Sequence, residues 1–145
     1  MRRRVAVIAG VIAILTCVTA PAAQANPPMI KIRTATVPGG KGSKIDVVID
    51  HACEAGSGVT TIVVAVHESF AQRREIEPYG DTRGRAMAPA TCDGTGHLIH
   101  VVVPCEKQER QWHSYVYDEV GAELTDGSNH TVVYDNQPHE WVTAS

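Results

Sequence analysis

The segment 45–53 reads Ile-Asp-Val-Val-Ile-Asp-His-Ala-Cys, and its apolar side chains recur at every second position. A period of two residues is typical of a β-strand with one buried face, because successive side chains point to opposite faces. The segment therefore predicts a half-buried strand. Its core side carries Ile45, Val47, Ile49, His51 and Cys53.

Other segments outward from this strand alternate in the same way or are rich in β-branched residues. Glycine-containing turns separate them, and no segment shows the 3.6-residue rhythm of an amphipathic helix. The chain therefore predicts an all-β fold, an antiparallel β-sandwich of six to seven short strands. The further predicted strands are 30–34, 59–66, 97–103, 112–120, 130–134 and one near Trp141, with turns at 38–42, 55–58, 93–96, Gly121 and 126–127.

Residues 69–90 differ from the rest because they are rich in charge and interrupted by glycine and proline. This composition predicts a long surface loop or a short helix. Long connections in small domains are usually functional or disordered. We therefore expect this loop, together with the sheet edges, to form the contact regions of the protein.

The first 25 residues have the order of a cleavable secretory signal peptide. Arg2, Arg3 and Arg4 precede the apolar stretch 5–18, and Ala23-Gln24-Ala25 supplies a small-residue cleavage site. The uncharged stretch is short for a membrane span, which needs about 20 residues. A lipoprotein anchored at Cys17 is the alternative, but Thr16 fits its recognition sequence poorly. We expect a secreted protein whose single β-sandwich domain is 26–145.

The charge of residues 26–145 argues against two classes of partner. Cleavage removes three of the 13 Lys and Arg residues and none of the 16 Asp and Glu residues, which leaves a net charge of −6. An acidic domain lacks the basic patch of a nucleic-acid binder and the basic helix of a membrane-surface protein. We expect neither nucleic acid nor membrane as a partner, and no cofactor.

Cleavage also leaves three cysteines, Cys53, Cys92 and Cys105. Three thiols in an oxidising compartment predict one disulfide and one remaining cysteine. The strand at 97–103 separates Cys92 from Cys105 by roughly 20 Å, whereas a disulfide needs Cα atoms about 4.4–6.8 Å apart. Cys53 can therefore pair with only one of them, and chain length alone leaves both pairings open.

Three stretches, 47–53, 59–66 and 92–103, follow one another in an informative order. A strand that ends in cysteine is followed by a Gly/Ser turn, a β-branched strand, and Cys-Asp-Gly-Thr-Gly-His before another β-branched strand. Over residues 44–125 this resembles small secreted actinobacterial proteins with an immunoglobulin-like (Ig-like) β-sandwich. The resemblance implies two sheets joined by a Cys53–Cys92 disulfide and no assigned activity. Antibody domains match less well, because no Trp lies between the two cysteines.

With that pairing, Cys105 is left as a possible free thiol. It either links two copies in a covalent dimer, reacts with another group, or is buried as a small apolar side chain.

Seven histidines raise the possibility of an extracellular Zn²⁺ or Cu²⁺ site, with His97, His100 and His113 as weak candidate ligands. Positions three apart on a strand face opposite sides, so His97 and His100 cannot bind one ion together. A hydrolase is a third possibility, but the chain has no G-x-S-x-G motif. We expect a non-enzymatic Ig-like module that acts by protein or cell-surface contact.

Overall fold

The computed structural model describes residues 25–68, 82–108, 110–113, 118–139 and 142–144. These residues contain a short 3₁₀ turn at Pro38–Gly40 and ten strand segments. The strands are β1 Met29–Val37, β2 Lys41–Gly42, β3 Lys44–Ala52, β4 Val59–Glu68, β5 Thr82–Pro89, β6 Gly96–Pro104, β7 Trp112–His113, β8 Asp118–Asp126, β9 Thr131–His139 and β10 Val142–Ala144.

Eight of the strands form two four-stranded sheets. The first sheet has the order β10-β1-β3-β6 and the second has the order β5-β4-β8-β9. All pairings inside them are antiparallel except β1 with β10, which is parallel. In immunoglobulin lettering, β1, β3 and β6 of the first sheet correspond to A, B and E. Strands β5, β4, β8 and β9 of the second sheet correspond to C′, C, F and G. The predicted antiparallel Ig-like β-sandwich is confirmed.

The core lies between the two sheets and is built from alternating residues of facing strands. The predicted strand at 45–53 is realised as β3, where Ile45, Val47 and Ile49 are fully buried. Strand β1 changes its alternation at a bulge between Ile32 and Thr34. Because of the extra residue at the bulge, Ala35 also faces the core.

The two ends of the sandwich are closed differently. At one end Cys53 and Cys92 form the disulfide, with their Cα atoms 4.6 Å apart, so the pairing implied by the resemblance is confirmed. At the other end Trp112 is fully buried, and its indole N–H donates a 3.2 Å hydrogen bond to the carbonyl of Val103. We call these the disulfide end and the tryptophan end.

Three predictions about local structure were wrong. Residues 82–89 of the predicted loop form strand β5, which pairs with β4 along its length. Residues 69–81 of that loop lie outside the described residues, and Ala90 follows β5 outside any strand. Gly121, predicted as a turn, lies inside strand β8. The predicted count of six to seven strands was too low, because β2 and β5 were not anticipated and the predicted strand 112–120 corresponds to two elements, β7 and the beginning of β8.

Candidate functional site

The outer face of the second sheet carries three rows of side chains that cross its strands. The rows follow from the strand register, since residues directly opposite each other in antiparallel strands point to the same face. The outward residues alternate with core residues such as Ile62, Val64 and Leu124. The three rows are Arg83–His67–Glu119, Arg85–Ala65–Gly121–Asn136 and Met87–Val63–Glu123–Tyr134.

The middle row is low because its two central residues have almost no side chain. A Cβ built on Gly121 would have the Ala65 carbonyl oxygen and the Asn136 Oδ1 as its nearest neighbours, each 4.0 Å away. Larger side chains of the two outer rows stand on either side. The result is an open depression of about 1080 Å³, which we call the trough.

The two strands on either side of β4 bring charges of opposite sign to the trough. Arg83 and Arg85 come from β5, whereas Glu119 and Glu123 come from β8. Arg85 reaches across the small Ala65, and its guanidinium lies 3.9 Å from the Glu123 carboxylate. Such an exposed pair contributes little to stability. Both charged groups therefore stay available to a ligand at small cost.

Strand β9 holds the two carboxylates in place. The Thr131 hydroxyl donates a 2.6 Å hydrogen bond to Glu123, and the Asn136 amide donates a 3.0 Å hydrogen bond to Glu119. Tyr134, on the same strand, is 73% exposed, and Met87, at the β5 end of the same row, is 58% exposed. The trough thus combines a small apolar floor, oriented acids and an exposed aromatic ring.

The three histidines considered as metal ligands lie at separate places, each with its own carboxylate. His97 contacts Asp93 at 2.9 Å, His100 contacts Asp46 at 2.9 Å, and His113 contacts Glu68 at 2.8 Å. His97 lies on the same side of β6 as the core-facing residues, and His100 lies on the exposed side, as the spacing predicted. Within the described ranges, no group of three or more His, Cys, Asp or Glu side chains is arranged to hold a metal ion.

At the disulfide end, His51 is fully buried beside the Cys53–Cys92 bridge. Its Nε2 accepts a 3.3 Å hydrogen bond from the Thr91 backbone N–H. Its Nδ1 has no hydrogen-bond partner among the residues that the structure describes. Burial and, second, the nearby imidazole of His97, whose ring centroid is 5.5 Å away, lower the pKa of His51.

At the tryptophan end, Glu68 is the fully buried ionisable group. Its carboxylate accepts hydrogen bonds of 2.8 Å from both the backbone N–H and the Nδ1 of His113. Cys105 is a half-buried free thiol at this end. Burial and then the negative charge of Glu68 raise the pKa of Cys105. A thiol with a raised pKa holds little reactive thiolate, so its environment is not that of a nucleophile.

The trough was not predicted from the sequence. The alternating residues Arg83, Arg85 and Met87 carry a period of two, but their charge made the segment resemble a loop. The triplet Glu119, Gly121 and Glu123 carries the same period, but a glycine at this point is typical of a turn. Correct assignment of both strands would have predicted a charged outer face, although not which residues stand opposite one another.

Comparison with known proteins returned no relative. No family model matches the chain, and neither the curated proteins nor the solved structures contain a match. Among the described residues, no helix has the length and apolar character needed to cross a membrane. The trough therefore has to be interpreted from its own chemistry.

Proposed function

We propose that this chain is a secreted, non-enzymatic Ig-like module that binds another extracellular protein in the trough of its second sheet. The leader-like residues 1–25 support export. The Cys53–Cys92 disulfide supports an oxidising compartment, where such bonds persist. The proposal includes membership of the small secreted Ig-like group that the sequence resembles.

The observation that carries the proposal is the composition of the trough. Its floor is small and apolar, at Ala65 and Gly121, and its rim contains arginine and tyrosine. Protein interfaces have the same arrangement, an apolar centre within a polar rim, and are enriched in these two rim residues. At about 1080 Å³ the trough is large enough to take several side chains of a partner.

The charges on the walls favour a protein partner over other ligands. Arginines on one side and carboxylates on the other complement a peptide segment that carries both signs. A nucleic acid or another polyanion would meet Glu119 and Glu123 as well as an overall negative chain. A mixed-charge segment with one apolar side chain, seated over Gly121, is the ligand that fits this surface.

Part of the contact region expected from the sequence lies on β5 and lines the trough. Arg83 and Arg85 belong to the 69–90 segment that the sequence indicated as a contact region, and they form one wall of the trough. They act here as outward side chains of a strand.

A display library of random peptides selected on the exported wild-type protein tests the proposal. Gly121→Phe fills the trough, and the fold can accept it because a Cβ at Gly121 has no neighbour nearer than 4.0 Å. Gly96→Phe is the matched control, because a Cβ at Gly96 meets nothing within 4 Å and the residue lies in the first sheet. We expect selected peptides to lose at least about tenfold in affinity for Gly121→Phe, which is about 1.4 kcal/mol, and to bind Gly96→Phe normally.

Two results would contradict the proposal. One is that no peptide family is enriched, or that enriched peptides bind both variants equally. The other is turnover in a broad hydrolase screen, since catalysis would replace binding as the activity.

A further inference from the structure

The four outer strands of the two sheets differ in how well they are protected from pairing with another chain. Within the described residues, β10 and β6 are the edges of the first sheet, and β5 and β9 are those of the second. An edge strand presents free backbone N–H and C=O groups. Natural proteins block such edges with charges, prolines or short length.

Three of the edges carry such protection. Strand β10 is only three residues long. Strand β5 bears Arg83 and Arg85 and ends at Pro89. Strand β9 contains Asp135 and has Pro138 near its end. None of the three offers a long, uncharged template for another strand.

Strand β6 lacks all of these protections. Its nine residues, Gly-His-Leu-Ile-His-Val-Val-Val-Pro, include no Lys, Arg, Asp or Glu, and the one proline, Pro104, is its last residue. Leu98 is 60% exposed and Val102 is 50% exposed on the outer side of this edge. A long β-branched edge with exposed apolar side chains is the feature that soluble proteins avoid unless it is used.

We propose that β6 is a dimerisation edge, which pairs antiparallel with β6 of a second copy of the chain. The sequence of the strand is self-complementary in this arrangement. A two-fold axis at His100 places Leu98 of each copy opposite Val102 of the other. Such cross-strand apolar pairs are the unit that stabilises a sheet, and a two-fold interface uses the same patch on both copies.

The charges around β6 are compatible with a second copy. The acids next to it on β3 are each already paired within the chain, since Asp46 contacts His100 and Asp50 contacts Arg33. Pairing two β6 strands therefore opposes no unpaired carboxylates and leaves no lysine or arginine buried. A partner with a charged strand would find no complementary charge on this edge.

The size of the contact sets the strength of the dimer. The carbonyl of Val103 is already bonded to Trp112, so the freely accessible part of the strand ends near Val102. About five to seven paired residues span roughly 17–24 Å, a contact smaller than the standard interface of about 1,600 Å². The dimer is therefore weak and forms at high concentration. This inference is independent of the trough.

Sedimentation velocity over a concentration series tests the inference. A Cys105→Ser background excludes a covalent dimer through that thiol. We expect a reversible dimer that Leu98→Lys and Val102→Lys each abolish, because an ammonium group then faces an apolar side chain. Met87→Lys and Val132→Lys are the controls, since both residues are exposed apolar side chains of the second sheet.

The double variant Leu98→Lys with Val102→Glu tests the register. The two-fold axis at His100 places each lysine opposite a glutamate of the second copy, so dimerisation should return at low salt. A monomer at every concentration would overturn the inference. So would a dimer that survives both single substitutions, one that Met87→Lys weakens equally, or one that the double variant fails to restore. Far-ultraviolet circular dichroism checks that each variant is folded.

Discussion

The two ends of the sandwich are closed by different chemistry. The disulfide end is closed covalently and contains a buried histidine, His51, whose Nδ1 has no partner in the described part of the chain. The tryptophan end is closed by packing and contains a buried carboxylate with two short hydrogen bonds from His113. Among the described residues both ends hold a buried donor without a hydrogen-bond partner, because Thr82 Oγ1, opposite Glu68, also lacks one. Each such group costs about 1–3 kcal/mol. The ends differ in their closure and in their buried ionisable group, since a buried carboxylate has to be paired.

The largest expected effect comes from removing the covalent link. Replacing both Cys53 and Cys92 by alanine should lower the free energy of unfolding by about 4 kcal/mol, because the bond closes a loop with a sequence separation of 39 residues. Urea unfolding of the exported protein measures the change. A reductant should destabilise the wild type by a similar amount and leave the double variant unchanged. A loss below about 1 kcal/mol would mean that packing alone closes this end.

Glu68→Gln should have the next largest effect, a loss of about 2–3 kcal/mol in the free energy of unfolding. In the native protein the two oxygens of Glu68 each accept one hydrogen bond, from the backbone N–H and from the Nδ1 of His113. Glutamine has only one acceptor oxygen, so its amide group would face the second donor of His113. Urea unfolding again gives the number. Glu106→Gln is the control at an exposed position and should change stability by less than about 0.5 kcal/mol. Equal effects of the two substitutions would remove the distinction between the ends.

Mild acid should weaken the disulfide end first. The pKa of His51 is lowered in the folded state from the ordinary 6.5, so the unfolded chain binds a proton there more readily. Stability is therefore unaffected above that pH and falls as the pH drops below it, by at most about 1.4 kcal/mol per pH unit. A series of urea unfolding curves from pH 8 to pH 4 measures the slope.

Matched substitutions separate His51 from the other titrating groups. His51→Gln should flatten the slope below neutral pH, because the amide is neutral and still offers an acceptor to Thr91. His130→Gln, which removes an imidazole whose side chain is 80% exposed, is the matched control for the loss of one histidine. The hydrogen bonds from His97 to Asp93 and from the His130 backbone to Asp126 lower the pKa of those carboxyls. The stability that Asp93 and Asp126 contribute is lost only at more acid pH, as the pH falls below 3.8. An unchanged slope in His51→Gln would contradict the assignment.

The core of the fold was predictable because its signals are local. The alternation at Ile45–Cys53 and the β-branched run at 59–66 indicate strands from neighbouring residues alone. The disulfide needed the resemblance as well, since spacing left Cys92 and Cys105 both open as partners of Cys53.

The trough was not predictable because it depends on pairing between distant strands. Ala65 stands between Arg85 and Gly121 only once β5 and β8 have taken their register on either side of β4. No local pattern specifies that register. The burial of Glu68 was likewise hidden, because a glutamate at the end of an apolar strand is usually exposed.

The most direct measurement of the central claim is a nuclear magnetic resonance titration of the exported protein with a peptide selected on the wild type. If the trough binds protein segments, amide shifts should concentrate at Ala65, Gly121 and Asn136 and be absent from β6. Shifts centred on Leu98 and Val102, or spread evenly over both sheets, would contradict a binding site on the second sheet.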